Sequence, residues 1–478
     1  MNIGIISALY LFLVISIMVV IIGENRNPLK AIPWLLVVLF VPVIGVILYI
    51  FFGEDLRHVY LINRKVYKRL SIIPTELAKR NEGLFEVDAD NTVRLLEKNS
   101  ASPLLGYDSV QIFTTGKSKF DRLKQDIANA KDHIHLQYYA FNDDELGQEL
   151  AALLIHKAKE GVAVRILYDD VGSWGTKRAF WLRMRKEGVE VYAFMKVAFP
   201  ILSSRANYRN HRKLVVIDSR VGYLGGMNIA DRYAKGDSLG PWRDTHFRFT
   251  GDVLAEMESC FLLDWYLVTR RVVSNIGTKY IAELNAPAKV PPTKGEALCM
   301  QLVKGAPNGM WRTIEQTMVA LILRAKKKVC IETPYFLPTE PLNSAIMIAS
   351  LSGVEVELLI PKNGDSFFVQ KASLSYVDPL LEAGVKVYRY EKGFLHSKFL
   401  TVDGEISMVG STNMDFRSLE HNFEIAAVIY DVAVANELNT VFKEDLQHSS
   451  PILLEQWRQR SRTKRFGESV MRLFSPLL

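Results

Sequence analysis

Two stretches of this chain share one pattern of histidine, lysine and aspartate. The first is NHRKLVVID, residues 210–218, followed by GGMN at residues 225–228; the second is LHSKFLTVD, residues 395–403, followed by GSTN at residues 410–413. In each stretch the lysine stands two residues after the histidine and the aspartate five residues after the lysine, and the glycine follows at the same distance. Both read as strand, turn, strand, and alternation along an extended strand places the histidine and the lysine on one face. The chain therefore carries one chemical motif twice.

The sequence around the two motifs repeats as well. Short apolar, β-branched runs alternate with amphipathic helical stretches from about residue 107 onward, which is the pattern of an α/β fold with a largely buried sheet. The segments that correspond are 133–139 with 329–335, 146–159 with 342–352, 161–168 with 353–360, and 188–192 with 384–388. One such match would mean little, but several in the same order predict two tandem copies of one α/β unit.

We expect four segments along the 478 residues. Residues 1–56 form a transmembrane hairpin of two helices, and residues 57–106 form a cytoplasmic linker. Residues 107–288 form the first repeat and residues 289–478 the second, with the proline-rich stretch 285–292 between them. The second repeat ends in a basic amphipathic segment, and the two repeats are expected to pack as a pseudo-symmetric pair.

The N-terminus predicts attachment to a membrane. Residues 3–22 and 31–52 contain no charged side chain, and each run is long enough to cross a hydrocarbon layer of about 30 Å as a helix. A cleaved signal peptide is the alternative for the first run, but that run lacks a basic start and a small-residue cleavage site. The basic cluster after the second run, at residues 57–69, is larger than the one between the runs, at residues 26–30. By the positive-inside bias the body of the chain is then cytoplasmic.

Charge and cysteine content restrict the partners. A net charge of +7 and a pI near 9.0 favour an anionic partner, and nucleic acid or an acidic membrane surface satisfies this equally well. The three cysteines, Cys260, Cys299 and Cys330, are far apart and encode neither a disulfide framework nor a zinc site. Residues 457–472 mix basic and apolar side chains, which suits a helix lying on an anionic leaflet; a solvated basic tail is the alternative.

The paired motif suits chemistry at a phosphodiester. Such a bond reacts when a nucleophile approaches in line, cations neutralise the non-bridging oxygens and an acid protonates the departing alkoxide. His211 and His396 can supply the nucleophile and the acid. Lys213 and Lys398 can bind the oxygens. Further hydrogen bonds can come from three side chains that follow the motifs: Asn228, Ser411 and Asn413. The sequence therefore predicts an enzyme that requires neither a metal nor a cofactor.

Both stretches resemble the paired HKD motifs of the phospholipase D superfamily. More narrowly, the chain is similar to the bacterial cardiolipin synthases over nearly its whole length. The shared features outside the motifs lie at residues 26–28, 34, 42, 45, 209–210, 242–246 and 421–424. The resemblance implies two tandem phospholipase D-like repeats whose motifs meet in one site at their interface. His211 and His396 are then expected to face one another.

The resemblance also implies a role for each motif residue. His211 is expected to attack the phosphorus and carry a phosphohistidine intermediate, and His396 to protonate the leaving group. The repeat symmetry allows the reverse assignment. Lys213 and Lys398 are expected to hold the phosphate.

Four acidic residues belong to the same expectation. The resemblance implies that Asp244 and Glu424, each downstream of one motif, orient the histidine of the other motif, as the aspartate does in a catalytic triad. Asp218 and Asp403 complete the predicted catalytic set. Support of the local turn is their alternative role.

The implied reaction is transfer of a phosphatidyl group from one phosphatidylglycerol to another, which gives cardiolipin and glycerol. The motif does not decide between water and an alcohol as acceptor, so a phospholipase D-type hydrolase and a phosphatidyltransferase with another alcohol are the alternatives. A site apposed to the membrane favours the alcohol because it concentrates lipid and limits water. A nuclease is disfavoured by the two membrane spans and by the lack of an aromatic stacking pattern near the basic residues. A non-catalytic scaffold is disfavoured because all four motif histidines and lysines are present.

We therefore expect a multi-pass protein of a bacterial cell membrane with its catalytic part in the cytoplasm. The expected partners are phosphatidylglycerol, other anionic lipids and the membrane itself, with no nucleic acid among them. No oligomeric state is predicted.

Overall fold

The computed structural model describes residues 3–23, 28–52, 61–85, 87, 90–197, 207–273 and 298–476. The chain groups into two compact units. One comprises Met1–Val59 with Val197–Tyr208, and the other comprises Tyr60–Lys196 with Arg209–Leu478. The larger unit contains both motifs.

The smaller unit contains three helices in its described part: α1, Ile3–Gly23; α2, Pro28–Phe40; and α3, Pro42–Phe52. The run 31–52, expected to form one helix, is interrupted at Val41, because Pro42 has no amide hydrogen to continue the helix. The ring centroids of Trp34 and Tyr49 lie 5.6 Å apart. Fifteen residues of straight helix would instead span about 22 Å. The expectation of one continuous helix over this run is therefore wrong, and the chain folds back on itself there.

Helix α1 is described with its side chains from Tyr10 onward. Of the helices in the described part of the chain, none is both long and apolar enough to cross a membrane. The transmembrane hairpin stays a prediction.

The segment expected to be a linker contributes three helices to the larger unit: α4, Arg64–Leu70; α5, Ile72–Arg80; and α6, Asp90–Asn99. Asn81, which follows α5, donates a hydrogen bond to Asp252 over 2.9 Å. Asn99, the last residue of α6, donates to Gln316 over 3.0 Å. Leu96 is fully buried in a core formed mainly by the second repeat. The segment thus packs against both repeats.

The first repeat is built on a seven-stranded sheet. Its elements are β1, Leu105–Gly106; β2, Ser109–Phe113; α7, Gly116–Ala128; β3, His133–Tyr138; α8, Glu145–Lys159; β4, Ala163–Asp169; α9, Arg178–Lys186; β5, Glu190–Phe194; β6, Leu214–Ile217; β7, Val221–Gly225; α10, Asp231–Lys235; β8, Trp242–Arg243; β9, His246–Thr250; and α11, Leu254–Thr269. The strand order is β2-β9-β7-β6-β3-β4-β5. Strands β3, β4 and β5 are parallel to one another, and the other neighbours are antiparallel.

The second repeat is built on a nine-stranded sheet. Its elements are β10, Cys299–Gly305; α12, Thr313–Arg324; β11, Lys328–Glu332; β12, Phe336–Leu337; α13, Glu340–Leu351; β13, Glu355–Pro361; α14, Phe367–Leu374; α15, Val377–Glu382; β14, Lys386–Tyr390; β15, Phe394–Leu395; β16, Phe399–Val402; β17, Ile406–Gly410; β18, Met414–Asp415; α16, Phe416–Glu420; β19, Glu424–Tyr430; α17, Val432–Leu446; β20, Ser449–Pro451; α18, Leu454–Arg458; and α19, Arg462–Arg472. The strand order is β1-β10-β19-β17-β16-β11-β13-β14-β20. Apart from its two edge strands, this order reproduces that of the first sheet. The prediction of two tandem α/β repeats is confirmed.

Two pairs of glycines explain why the repeat is visible in the sequence. Gly161 and Gly353 have φ values of +91° and +94°, and Gly188 and Gly384 have values of +92° and +91°. Each glycine lies between a helix and the strand that follows it. Glycine adopts this left-handed region without the steric cost that a side chain brings. The same turn therefore selects the same residue in both copies.

The two sheets share an apolar core at their interface. It contains side chains from the first repeat and from the second, among them Leu214, Phe247, Phe261, Leu395, Phe399 and Ile425. Leu214 and Phe399 are the first residues of β6 and β16, and each directly follows a motif lysine. Burial of this core, which removes apolar surface from water, therefore brings the two motifs to the interface.

Candidate active site

Each motif histidine is held by the backbone of the opposite repeat. The N–H of His211 donates to the carbonyl of Phe423 over 2.9 Å, and the N–H of His396 donates to the carbonyl of Arg243 over 2.7 Å. At the second contact β15 pairs with β8 in parallel. At the first, Asn210 and Phe423 form an isolated bridge. These paired contacts bring the two motifs together.

The two imidazole rings line one cavity of about 310 Å³. Nδ1 of His211 lies 2.8 Å from Oε1 of Glu424, and Nδ1 of His396 lies 2.6 Å from Oδ2 of Asp244. Each acid belongs to the opposite repeat, so the arrangement is crossed. Because Nδ1 of each ring is occupied by a carboxylate, Nε2 is the nitrogen that remains for chemistry.

Burial favours the neutral form of both rings. It lowers the pKa of His211 below its ordinary value, and with the nearby Lys398 it lowers the pKa of His396 to about 3. Burial opposes ionisation of the two acids, but their cationic neighbours outweigh it and hold the pKa values of Asp244 and Glu424 below the ordinary range. An ionised carboxylate that accepts from Nδ1–H selects the tautomer whose Nε2 carries the free lone pair.

The motif lysines lie beside the same rings. Nζ of Lys213 donates to the carbonyl of His211 over 2.6 Å, and Nζ of Lys398 donates to the carbonyl of His396. Burial lowers the pKa of Lys213 to about 7 and that of Lys398 to about 8. A nearby anion favours the charged form of a lysine. The positive charge of the site is therefore coupled to the binding of an anion.

The three predicted hydrogen-bond donors take different positions. Asn228 lines the cavity, where its Nδ2 donates to the hydroxyl of Tyr233 over 2.9 Å. Asn413 also lines the cavity, and its Oδ1 has no hydrogen-bond partner among the described residues. Ser411 is not part of the described lining, and its hydroxyl donates to Glu424. This hydrogen bond suits a role in holding the acid, and the predicted contact of Ser411 with substrate stays a prediction.

Asp218 and Asp403 are not part of the described lining of the cavity. The carboxylate of Asp218 accepts from the backbone N–H groups of residues 131–133 at 2.8 to 2.9 Å. That of Asp403 accepts from residues 326–328 at 2.8 Å. Each carboxylate thus ties the turn of its motif to the start of β3 or β11, which agrees with the alternative role. Direct participation of Asp218 and Asp403 in catalysis stays a prediction.

The cavity contains aromatic residues that the motifs did not predict. The ring of Tyr139 lies 4.9 Å from that of His211, and the rings of Trp242 and Tyr335 lie 5.2 Å and 6.2 Å from that of His396. Tyr139 and Tyr335 are the last residues of two corresponding strand segments, 133–139 and 329–335. Comparison of the two repeats could therefore have identified both tyrosines as candidate site residues. Trp242 reaches the cavity through the pairing of β8 with β15. The repeat pattern did not predict this, although residues 242–246 belong to the features shared with the cardiolipin synthases.

The cavity also contains charged residues outside the motifs: Arg209, Arg232, Asp365, Asp415 and Arg417. Arg232 and Arg417 stand four residues after Asn228 and Asn413, so a comparison of the two copies would have found them. Asp365 follows β13, and neither the motifs nor the comparison of the two repeats predicted that it lines the cavity.

A separate group of side chains has the composition of a metal site. The ligand atoms of His133, His135 and Glu258 lie within 4.8 Å of one another in a buried position. Nε2 of His133 lies 3.0 Å from Glu258, and Arg165 lies 3.1 Å from Nε2 of His135. The group has a complete set of hydrogen bonds, and the nearby guanidinium disfavours a cation.

Comparison with known proteins identifies related sequences over the whole chain. Residues 123–238 and 318–446 match the family described as cardiolipin synthase, phospholipase D-like domain. Residues 8–54 match the phospholipase D nuclease N-terminal family. The chain is 39% identical over 483 residues to the major cardiolipin synthase ClsA of Bacillus subtilis (strain 168), with 98% of each chain covered. It is 38% identical to the cardiolipin synthase of Halalkalibacterium halodurans, with 100% of this chain and 94% of that one covered.

A solved structure shares the fold. Phosphatidylserine synthase from Haemophilus influenzae Rd KW20 superimposes with a TM-score of 0.61 over 81% of this chain and 100% of that one. Sequence identity across the superposition is 16%. The likeness concerns the fold alone.

Proposed function

We propose that this chain, which belongs to the cardiolipin synthase family of the phospholipase D superfamily, is a phosphatidyltransferase that joins two phosphatidylglycerol molecules into cardiolipin and releases glycerol. The observation that carries the proposal is the crossed pairing of the site. Each motif histidine donates to an acid of the other repeat, and both rings line one cavity. Two imidazoles with free Nε2 atoms beside two lysines suit nucleophilic attack on a phosphodiester.

In the first step, Nε2 of His211 attacks the phosphorus of the donor. The N–P bond forms as the P–O bond to glycerol breaks, and His396 gives its proton to the departing alkoxide. Bound phosphate offsets the charge of Lys398, which raises the pKa of His396 and lets it hold that proton. Lys213 and Lys398 bind the non-bridging oxygens, where negative charge develops.

In the second step, a hydroxyl of the second phosphatidylglycerol enters on the side that glycerol has left. His396 accepts the hydroxyl proton, the oxygen attacks phosphorus, and the N–P bond breaks. His211 is regenerated and cardiolipin is released. Asp244 stabilises the imidazolium form of His396 in both steps, because the carboxylate accepts from its Nδ1–H.

The test uses purified full-length protein and vesicles in which phosphatidylglycerol is the only lipid that can react. We expect cardiolipin and free glycerol in equal amounts. A protein that carries alanine at both motif histidines serves as the blank. Phosphatidic acid as the main product, which marks water as the acceptor, would contradict the proposal.

We further propose that the protein is a multi-pass membrane protein with its catalytic part on the cytoplasmic side. Support comes from large apolar side chains exposed in the smaller unit, such as Phe12 at 71% and Phe40 at 75%. In the larger unit, α19 carries basic residues together with Phe466, which is 71% exposed. Both features suit contact with anionic lipid.

Labelling of single introduced cysteines tests this topology, because the three native cysteines are buried. A cysteine at Asn27, between the predicted spans, should react with an impermeant reagent in intact cells. One at Arg69 should react only after the cells are opened. Reaction of Arg69→Cys in intact cells would overturn the cytoplasmic location.

A further inference from the structure

Two arginines of the cavity take no part in the steps above. Arg232 and Arg417 stand at equivalent positions of the two repeats, in α10 and α16. Both line the cavity together with His211 and His396. Among the described residues, neither forms an ion pair with a carboxylate. A guanidinium that faces a cavity without its own anion is suited to bind an anionic group of the substrate.

Arg232 lies close to the ring that flanks His396. The guanidinium of Arg232 lies 5.0 Å from the ring centroid of Trp242, and that ring lies 5.2 Å from the ring of His396. Arg232 thus belongs to the side of the proton donor.

The proposed reaction needs a second phosphate site on that side. The acceptor lipid carries an intact phosphodiester, joined through its glycerol to the hydroxyl that attacks. This phosphate keeps its charge throughout, and burying it without a counter-charge would be costly. The two motif lysines already neutralise the phosphate that reacts. Glycerol leaves beside His396, so the acceptor enters there and its own phosphate comes to lie close to that histidine.

We propose that Arg232 binds the unreacted phosphate of the acceptor phosphatidylglycerol and so selects a lipid, rather than water or a free alcohol, for the second step. The proposal rests on the proposed function of the site. The flat guanidinium fork matches two phosphate oxygens at once. The guanidinium carbon of Arg232 lies 5.0 Å from the ring centroid of Trp242 and 5.7 Å from that of Tyr233, so the two rings restrict the orientation of the guanidinium. Its Nε is buried without a hydrogen-bond partner among the described residues, so the group has unused donor capacity.

The test compares acceptors that do and do not carry a phosphate. Labelled glycerol exchanges into phosphatidylglycerol through the same phosphohistidine, but as an acceptor it offers no anion. Arg232→Gln should lower cardiolipin formation at least about tenfold, the loss expected for a hydrogen bond to a charged group. Glycerol exchange should be unchanged. Arg232→Lys, which keeps the charge without the fork, should restore part of the cardiolipin activity.

Lys235→Gln is the matched control. Lys235 lies on the same helix and carries the same charge, but it is exposed and pairs with Asp231 at 3.0 Å outside the cavity. We expect cardiolipin formation and exchange to be unchanged in this variant. Thermal unfolding of each variant shows whether the fold is retained.

The outcomes separate this inference from the function it rests on. Wild-type protein that yields only phosphatidic acid from phosphatidylglycerol defeats the proposed function. The inference alone fails if the wild type makes cardiolipin and Arg232→Gln leaves unchanged the ratio of the rate of cardiolipin formation to the rate of glycerol exchange. It also fails if exchange falls in parallel with cardiolipin, or if the selective loss occurs in Arg417→Gln instead.

Discussion

The two repeats hold their histidines by the same crossed contact but build it from different side chains. Glu424, which holds the histidine of the first motif, also accepts a hydrogen bond from Ser411. Asp244 holds the histidine of the second motif, and the counterpart of Ser411 beside it is Gly226. A Cβ at Gly226 would lie 2.1 Å from Oδ1 of Asp244. Asp244 therefore leaves space only for a glycine at position 226. Glu424 leaves space for the side chain of Ser411, whose hydroxyl donates a hydrogen bond to it.

The two repeats also differ in the buried ion pairs that lie next to their motifs. In the first repeat Arg212 forms an ion pair with one carboxylate of the described residues, that of Asp264, at 2.6 Å. Beneath the second motif Arg243 lies 2.7 Å from Asp445 and 3.7 Å from Glu332. Burial raises the pKa of Glu332 to about 8; the charge of Asp445 acts in the same direction and that of Arg243 in the opposite one. The repeats thus keep the backbone geometry of the site while the side chains that support it have diverged.

Removal of each motif histidine should give the largest effect and separate the roles of the two repeats. His211→Ala abolishes transfer because the attacking group is lost. His396→Ala should slow it about 10²- to 10⁴-fold, the usual contribution of a general acid. With a p-nitrophenyl phosphodiester as donor, whose leaving group needs no proton, His396→Ala should release a first-turnover burst of one p-nitrophenol per site at close to the wild-type rate, and His211→Ala should show no burst. The opposite pattern would exchange the two roles.

Substitution of Gly226 and Ser411, the small residues beside Asp244 and Glu424, tests whether the two acids are held differently. Gly226→Ser should lower kcat/KM about a hundredfold, because the new Cβ displaces Asp244 and its histidine loses the orienting partner. Ser411→Gly removes one hydrogen bond to Glu424 and should cost about tenfold. Cardiolipin synthesis by both variants gives the two values, with thermal unfolding as the check on folding. Equal losses would show that the two acids are not held differently.

The lysines should make activity fall at alkaline pH. Because their pKa values are lowered to about 7 and about 8, Lys213 and Lys398 lose their protons as pH rises through this range. We expect kcat/KM to fall about tenfold per pH unit between the two pKa values and about a hundredfold per unit above both. The corresponding fall in kcat should occur at higher pH, because bound phosphate raises both pKa values. A value of kcat/KM that stays constant up to the ordinary pKa of a lysine, about 10.4, would contradict this.

Glu332→Gln should give the smallest effect, on stability rather than activity. The pKa of Glu332 is raised in the folded protein, so the unfolded chain releases this proton first and the wild type loses stability as pH rises from about 4.5 to about 8. Glutamine removes that loss. The advantage of the variant over the wild type should therefore grow between pH 5 and pH 8, by up to about 1.4 kcal/mol per pH unit. Urea unfolding at the two pH values measures this, and an equal difference at both would contradict it.

The sequence predicted those parts of the fold that local geometry determines. Gly161 and Gly353 mark equivalent turns because both adopt positive φ. The continuous helix expected over 31–52 failed because hydropathy does not register the break that Pro42 introduces. The motif residues were identifiable because one pattern occurs twice, whereas Trp242 and Asp365 reach the cavity only through tertiary packing. The motif could not decide between a catalytic and a turn-supporting role for Asp218 and Asp403, because a motif records only which residues recur.

The most direct measurement traps the covalent intermediate. His396→Ala protein is mixed with the p-nitrophenyl donor carrying a labelled phosphatidyl group, quenched under alkaline conditions that preserve phosphohistidine, and mapped by mass spectrometry. We predict one labelled group per chain, on His211, and none when His211 is also replaced by alanine. Label on another residue, or turnover without any covalent label, would contradict a site in which two imidazoles act on a single phosphorus.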